Sequence, residues 1–121
     1  MCAGIGRWKV EVLGNIVKTR RDIVNRYVET LGEINGVQFL PELTGTISNR
    51  WLSVMTLNPE KVSVQPHELF DLLEKENIEV RRVWKPMHLQ PLYAGARFFT
   101  HDDDDIVSER LFNTGICLPS G

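Results

Sequence analysis

Residues 7–34 read RWKVEVLGNIVKTRRDIVNRYVETLGEI, and their periodicity is the strongest structural signal in the chain. Leu13, Ile16, Val17, Ile23, Val24, Tyr27, Val28, Leu31 and Ile34 recur at spacings of three, four and seven, with Arg20, Arg21, Asp22, Arg26 and Glu29 between them. At 3.6 residues per turn this gathers the apolar side chains into one stripe, which predicts an amphipathic helix from about Arg7 to Ile34. Gly14 inside the pattern costs about 1 kcal/mol relative to alanine and suggests a kink or a close approach. Gly32 and Asn35-Gly36 are stop signals. Two readings of the length stay open: a connecting helix that reaches beyond one small domain, or a simple core helix.

Downstream, Val37-Gln38-Phe39-Leu40 alternates and meets Pro41, as a short strand would. Residues 43–49 carry loop chemistry in Thr44-Gly45-Thr46 and Ser48-Asn49. Arg50 to Leu57 alternates in part and ends at Asn58-Pro59, predicting a central strand. Pro66 suits a first helical turn, and Leu69, Phe70, Leu72 and Leu73 extend a second helix to about Glu76, with Asn77 as its cap. Ile78 to Trp84 reads as another strand and Lys85 to Phe99 as a loop with large side chains. The acidic run Asp102 to Asp105 is placed to start a helix running through Phe112, since carboxylates favour the first turn. Gly115 would stop that helix before a last strand, Ile116-Cys117-Leu118. The result is an α/β (α+β) two-layer sandwich: a small, mainly antiparallel sheet with helices on one face and a long N-terminal helix. A single domain over 1–121 is expected, with 1–34 as connecting helix segment and 35–121 as sandwich.

Composition bounds the function classes. Of 121 residues, 42% are hydrophobic and 25% charged, which is ordinary for a globular domain able to bury a core without disulfide or metal. Fourteen Lys and Arg against 16 Asp and Glu leave a net charge of −2, without the basic excess of a nucleic-acid binder. No apolar run approaches the ~20 residues needed to span a bilayer, and the N-terminus lacks a signal-peptide pattern. Cys2 and Cys117 stand far apart and read as buried or incidental thiols in a reducing, cytoplasmic compartment.

Among candidate sites, Trp84-Lys85-Pro86-Met87-His88-Leu89-Gln90-Pro91-Leu92-Tyr93 offers most. Two prolines stiffen it, Lys85, His88 and Gln90 supply polar groups, and Trp84 and Tyr93 supply apolar faces. That set suits an anionic, partly planar or sugar-like ligand, and it equally suits a rigid loop packed on itself. Asn49-Arg50-Trp51 could present a cation, or Arg50 could be an ordinary ion-paired residue. Arg81 and Arg82, adjacent on a strand, must point to opposite faces. His101 before Asp102 to Asp105 invites a metal reading, but consecutive residues cannot all converge on one ion, and a solvated helix start is the favoured reading. No phosphate-loop, nucleophile-elbow or dinucleotide pattern is present.

Four ordered segments carry a family resemblance: Cys2-Ala3-Gly4-Ile5-Gly6-Arg7, Ser48-Asn49-Arg50-Trp51-Leu52, Trp84-Lys85-Pro86-Met87-His88-Leu89-Gln90-Pro91 and Gly115-Ile116-Cys117-Leu118-Pro119-Ser120-Gly121. Together they resemble the C-terminal part of the DegT/StrS family of sugar aminotransferases, most closely members that aminate a nucleotide-linked 4-keto sugar in pilin or surface-glycan glycosylation. The resemblance implies the small domain of a fold-type-I pyridoxal-phosphate enzyme, working as a homodimer, with the large cofactor domain absent. It implies that Arg81, Trp84, Lys85, Met87 and His88 line a nucleotide-sugar pocket, with Lys85 and His88 toward diphosphate or hydroxyls and Asn49 and Arg50 close by. None of Lys9, Lys18, Lys61, Lys75 or Lys85 matches the cofactor-lysine motif. No catalytic residue, metal or bound cofactor is therefore expected for this chain alone, although the full-length family uses pyridoxal phosphate. Trp8 and Arg82 depart from the pattern, where relatives carry glycine and proline, and relatives continue past Gly121 into another helix. The expectation is a fragment or truncated product that is inactive alone and contacts neither nucleic acid nor membrane. The alternatives are a stand-alone nucleotide-sugar-binding or regulatory module and a marginally folded remnant.

Overall fold

The computed structural model describes the backbone of residues 2–102 and 104–121, with side chains from residue 6 onward among them. Among the described residues, three α-helices, α1 (Cys2–Leu31), α2 (Pro66–Lys75) and α3 (Val107–Thr114), accompany four strands, β1 (Val37–Phe39), β2 (Ser53–Leu57), β3 (Arg81–Arg82) and β4 (Gly115–Leu118). The strands form one sheet in the order β1-β2-β4-β3, every neighbouring pair antiparallel.

Register explains which side is core. Val37 faces Leu57, Phe39 faces Met55, Met55 faces Ile116 and Ser53 faces Leu118. Directly opposed residues share a face, so these side chains, apolar apart from the buried Ser53, lie together, and β2 alternates buried with half-buried positions. Tyr27 and Leu31 of α1 and Leu69 and Phe70 of α2 pack on this cluster, in which Ile116 is fully buried. Arg82, opposite Ile116, shares the face and places its guanidinium 5.5 Å from the Phe70 ring centre and 6.0 Å from that of Phe112. Arg81 points the other way, as adjacent strand residues must.

The helices follow local chemistry. Pro66 occupies the first turn of α2, and Glu68 accepts the Gln65 backbone N–H at 2.8 Å. At the other end Asn77 adopts φ 57°, its N–H donating to the Glu74 carbonyl while the Ile78 N–H donates to that of Leu73, both at 2.9 Å. That is the paired closure of a left-handed helix stop. Gly115 ends α3 and begins β4, where a Cβ would strike the Leu111 carbonyl oxygen and the Val83 side chain.

Several boundaries differ from the sequence expectation. Helix α1 starts earlier, at Cys2, and stops at Leu31, where Gly32 donates to the Val28 carbonyl at 2.8 Å. It is continuous through Gly14, which no other element approaches. The strand expected over 78–84 pairs only at Arg81–Arg82, opposite Cys117 and Ile116 of β4. Residues 50–52 do not join β2. Helix α3 starts at Val107, after the acidic run, and Arg110 reaches back to hold Asp105 at 2.9 and 3.0 Å. Asp103, within that run, lies outside the described residues, as does the side chain of Cys2. Among the described residues no helix is long and apolar enough to cross a membrane, and no cluster could hold a metal ion.

Candidate functional site

The seven sequence-selected residues fall in three places rather than one cavity. Arg81 lines an open groove of about 650 Å³ together with Arg20, Trp51, Glu79, Cys117 and Ser120. Its Nε and Nη2 donate to Glu79 Oε1 at 2.8 and 2.6 Å, while Nη1 has no bond among the described residues. Arg20 lines the same groove from α1. Burial among the strands pushes the Cys117 thiol up from its ordinary value, so it lines the groove in the neutral form.

Trp84 does not line the groove itself and reaches it only through Trp51, which does. Its ring centre lies 5.9 Å from that of Trp51, the planes tilted by 42°. Both indoles remain exposed, 64% for Trp84 and 57% for Trp51. Beyond Trp84 the chain forms two short 3₁₀ turns, Met87–Leu89 and Pro91–Tyr93, each opened by the backbone that precedes it. Gln90 donates from its amide to the Lys85 carbonyl at 3.3 Å, which clasps the first turn from either end. Lys85 and Met87 stay exposed on this segment, and the Lys85 ammonium has no ion pair among the described residues.

His88 is turned the other way. Its Nε2 lies 2.8 Å from Glu109 Oε1 of α3, and its ring stacks on Phe98 at 3.7 Å between centres and 22° between planes. It fastens the loop to α3 and leaves one ring nitrogen for any further partner.

Asn49 and Arg50 serve the backbone. Asn49 Oδ1 accepts the Trp51 N–H at 3.1 Å. Arg50 Nη1 donates to the Leu40 carbonyl at 3.0 Å and Nη2 approaches Glu42 Oε2 at 3.7 Å, leaving the side chain only 17% exposed. Glu42 also takes both arms of Arg21 at 2.9 Å and the Ser48 backbone N–H. The Arg21 hydrogen bonds, then that from Ser48, hold this carboxyl down at about 2. Sequence reasoning did not single out Arg21, Glu42, Trp51 as a groove residue, or Glu109. Twenty-one positions separate Arg21 from Glu42, and the same number separate His88 from Glu109, so neither pair leaves a local spacing to read.

Against known proteins, a model of the DegT/DnrJ/EryC1/StrS aminotransferase family matches residues 1–121. The chain belongs to this family. The pyridoxal phosphate-dependent aminotransferase so named in Bacillus subtilis, EpsN, is 46% identical over 119 residues, covering 98% of this chain and 30% of that protein. GDP-perosamine synthase of Vibrio cholerae is 33% identical over 93 residues, 77% of this chain and 25% of that protein. The solved structure of DesI in the presence of its TDP-sugar product superposes with a TM-score of 0.78 at 18% identity, over 93% of this chain and 28% of that one. The chain thus spans about a third or less of the DegT/DnrJ/EryC1/StrS members it matches, and the superposition confirms the fold. Pyridoxal phosphate belongs to the family's relatives by name, so its fit to the present residues can be tested. All five lysines are exposed and none lines the groove beside Arg81. A lysine that carries such a cofactor needs a desolvated setting, which these lack. Among the described residues no lysine stands in such a setting.

Proposed function

We propose that this chain is the small-domain part of a nucleotide-sugar aminotransferase and supplies one wall of the substrate pocket, the cofactor being held by other residues of the complete enzyme. The observation that carries this is the groove in which Arg81 and Arg20 stand beside the Trp51–Trp84 pair. Guanidinium groups suit diphosphate oxygens and an indole face suits a planar base or the apolar face of a sugar ring. In this reading Lys85 and Met87 extend the wall from the exposed loop. Asn49, Arg50 and His88 contribute chiefly by holding it in place. The reading extends, through the family resemblance, to a cytoplasmic homodimeric enzyme of surface-glycan or pilin glycosylation and a keto-sugar substrate.

Two measurements test it. Nucleoside diphosphate sugars, titrated to about millimolar concentration, should change tryptophan fluorescence through Trp51 and Trp84, and Arg81→Ala should weaken that response about tenfold, or ~1.4 kcal/mol. A wild-type chain whose fluorescence ignores the nucleotide sugars would remove the support for the groove. Pyridoxal phosphate followed by borohydride should leave no stoichiometric adduct on any single lysine. A single quantitatively labelled lysine would overturn the assignment of the cofactor to other residues. Micromolar binding by the isolated chain would favour the stand-alone binding module instead.

A further inference from the structure

Between residues 40 and 52 the chain runs without regular secondary structure, yet its path converges on one carboxylate. Glu42 collects Arg21 of α1 through two bonds of 2.9 Å, the Ser48 N–H, and Arg50 at 3.7 Å. Arg21 also donates to the Ser48 carbonyl at 2.8 Å, so the helix grips the loop at two points. Arg50 sits at φ 48°, the left-handed region that a side chain of its size rarely adopts and that costs on the order of 1 kcal/mol or more. Its N–H on Ser48 Oγ at 3.1 Å and its guanidinium on Leu40 and Glu42 are the bonds that hold it there.

Trp51 follows directly. The direction in which an extended side chain leaves a loop is set by the dihedrals just before it. The left-handed turn at Arg50 sends Trp51 to Trp84, 5.9 Å away, at the edge of the groove. With both indoles more than half exposed, no enclosing apolar pocket fixes the pair. We infer that Glu42 is a positioning residue: through Ser48 and Arg50 it sets Trp51 against Trp84, so that Trp51 becomes a wall of the groove and Arg50 serves the loop, not the ligand. The consequence for ligand binding rests on the function proposed above; the positioning itself does not.

Two close, tilted indoles produce a far-ultraviolet exciton couplet in circular dichroism, readable without any ligand. The full chain carrying Trp8→Phe isolates the pair, and adding Trp84→Phe defines zero amplitude. Glu42→Gln should remove more than half of the couplet while the helical signal is retained, and Arg21→Gln, on the α1 side of the network, should reduce it in the same direction. A couplet of full amplitude in both variants overturns the inference. Should Glu42→Gln fail to fold, Arg21→Gln decides alone: a reduced couplet supports the inference and an unchanged one overturns it. Nucleotide-sugar titration of the same variants separates the two proposals. A lost couplet with no ligand response in the wild type leaves the positioning standing and refutes only the groove.

Discussion

Glu42 shows how much one side chain can organise without being part of a core. Its carboxyl is held at about 2 by Arg21 and Ser48, below its ordinary value of 4.5. A depressed folded-state value means that the stabilisation is fully present above pH 4.5 and is lost as pH falls from there toward 2. Denaturant unfolding followed at pH 5.5 and pH 3 should therefore show a drop in midpoint, and Glu42→Gln should shrink that drop by losing the charged form at both values. A drop of equal size in the variant would mean that other carboxylates carry it, Asp105 with Arg110 being the next in line. Nothing in the sequence around Glu42 announces this, because its partners lie on a helix far upstream and in a turn whose left-handed arginine no propensity predicts. By contrast Arg81 and Arg82 were legible as opposite-facing neighbours, since that needs only the pleat of a strand.

At the scale of elements, the helices were readable because their signals are local. The apolar spacing of α1, Pro66 and Glu68 at the start of α2 and Asn77 at its end all act within a turn or two. Asn77 closes α2 from the left-handed region, which asparagine tolerates and a β-branched residue does not. Asn77→Val should destabilise the fold by about 1–2 kcal/mol, while Asn77→Gly should be neutral or slightly stabilising, as thermal or denaturant unfolding can measure. The strands were legible as apolar runs but not as pairings. β3 is confined to Arg81–Arg82, opposite Cys117 and Ile116 of β4, and Arg50 lies outside β2 with its guanidinium held on Leu40 and Glu42. Both depend on contacts distant in sequence, which periodicity does not encode.

The whole molecule is a small sandwich from which α1 extends. Thirty residues of helix measure about 45 Å, longer than a four-stranded sheet of this size needs. Its C-terminal half packs through Val24, Tyr27 and Leu31, whereas Trp8 is 61% and Val10 70% exposed, with Leu13 also more than half exposed. Exposed apolar side chains repeated along one helix favour association. Sedimentation of the chain should show mass rising with concentration, and Trp8→Glu with Leu13→Glu should return it to a monomer. A monomer at every concentration would show that this surface is inert. The candidate site was legible at this scale only through the order of four motifs. Its geometry was not, because the groove draws on α1, the 40–52 loop, β3 and the residues after β4, which come together only once the chain has folded.

The strand order β1-β2-β4-β3 carries a kinetic consequence. The central partner of the sheet, β4, is the last strand along the chain, so β2 keeps one edge open and Met55 and Leu57 lack their full cover until residues 115–118 arrive. Loop closure over some sixty residues precedes any reward from that pairing, so the sheet completes late, and its vulnerable period for misassociation is the interval before β4 inserts.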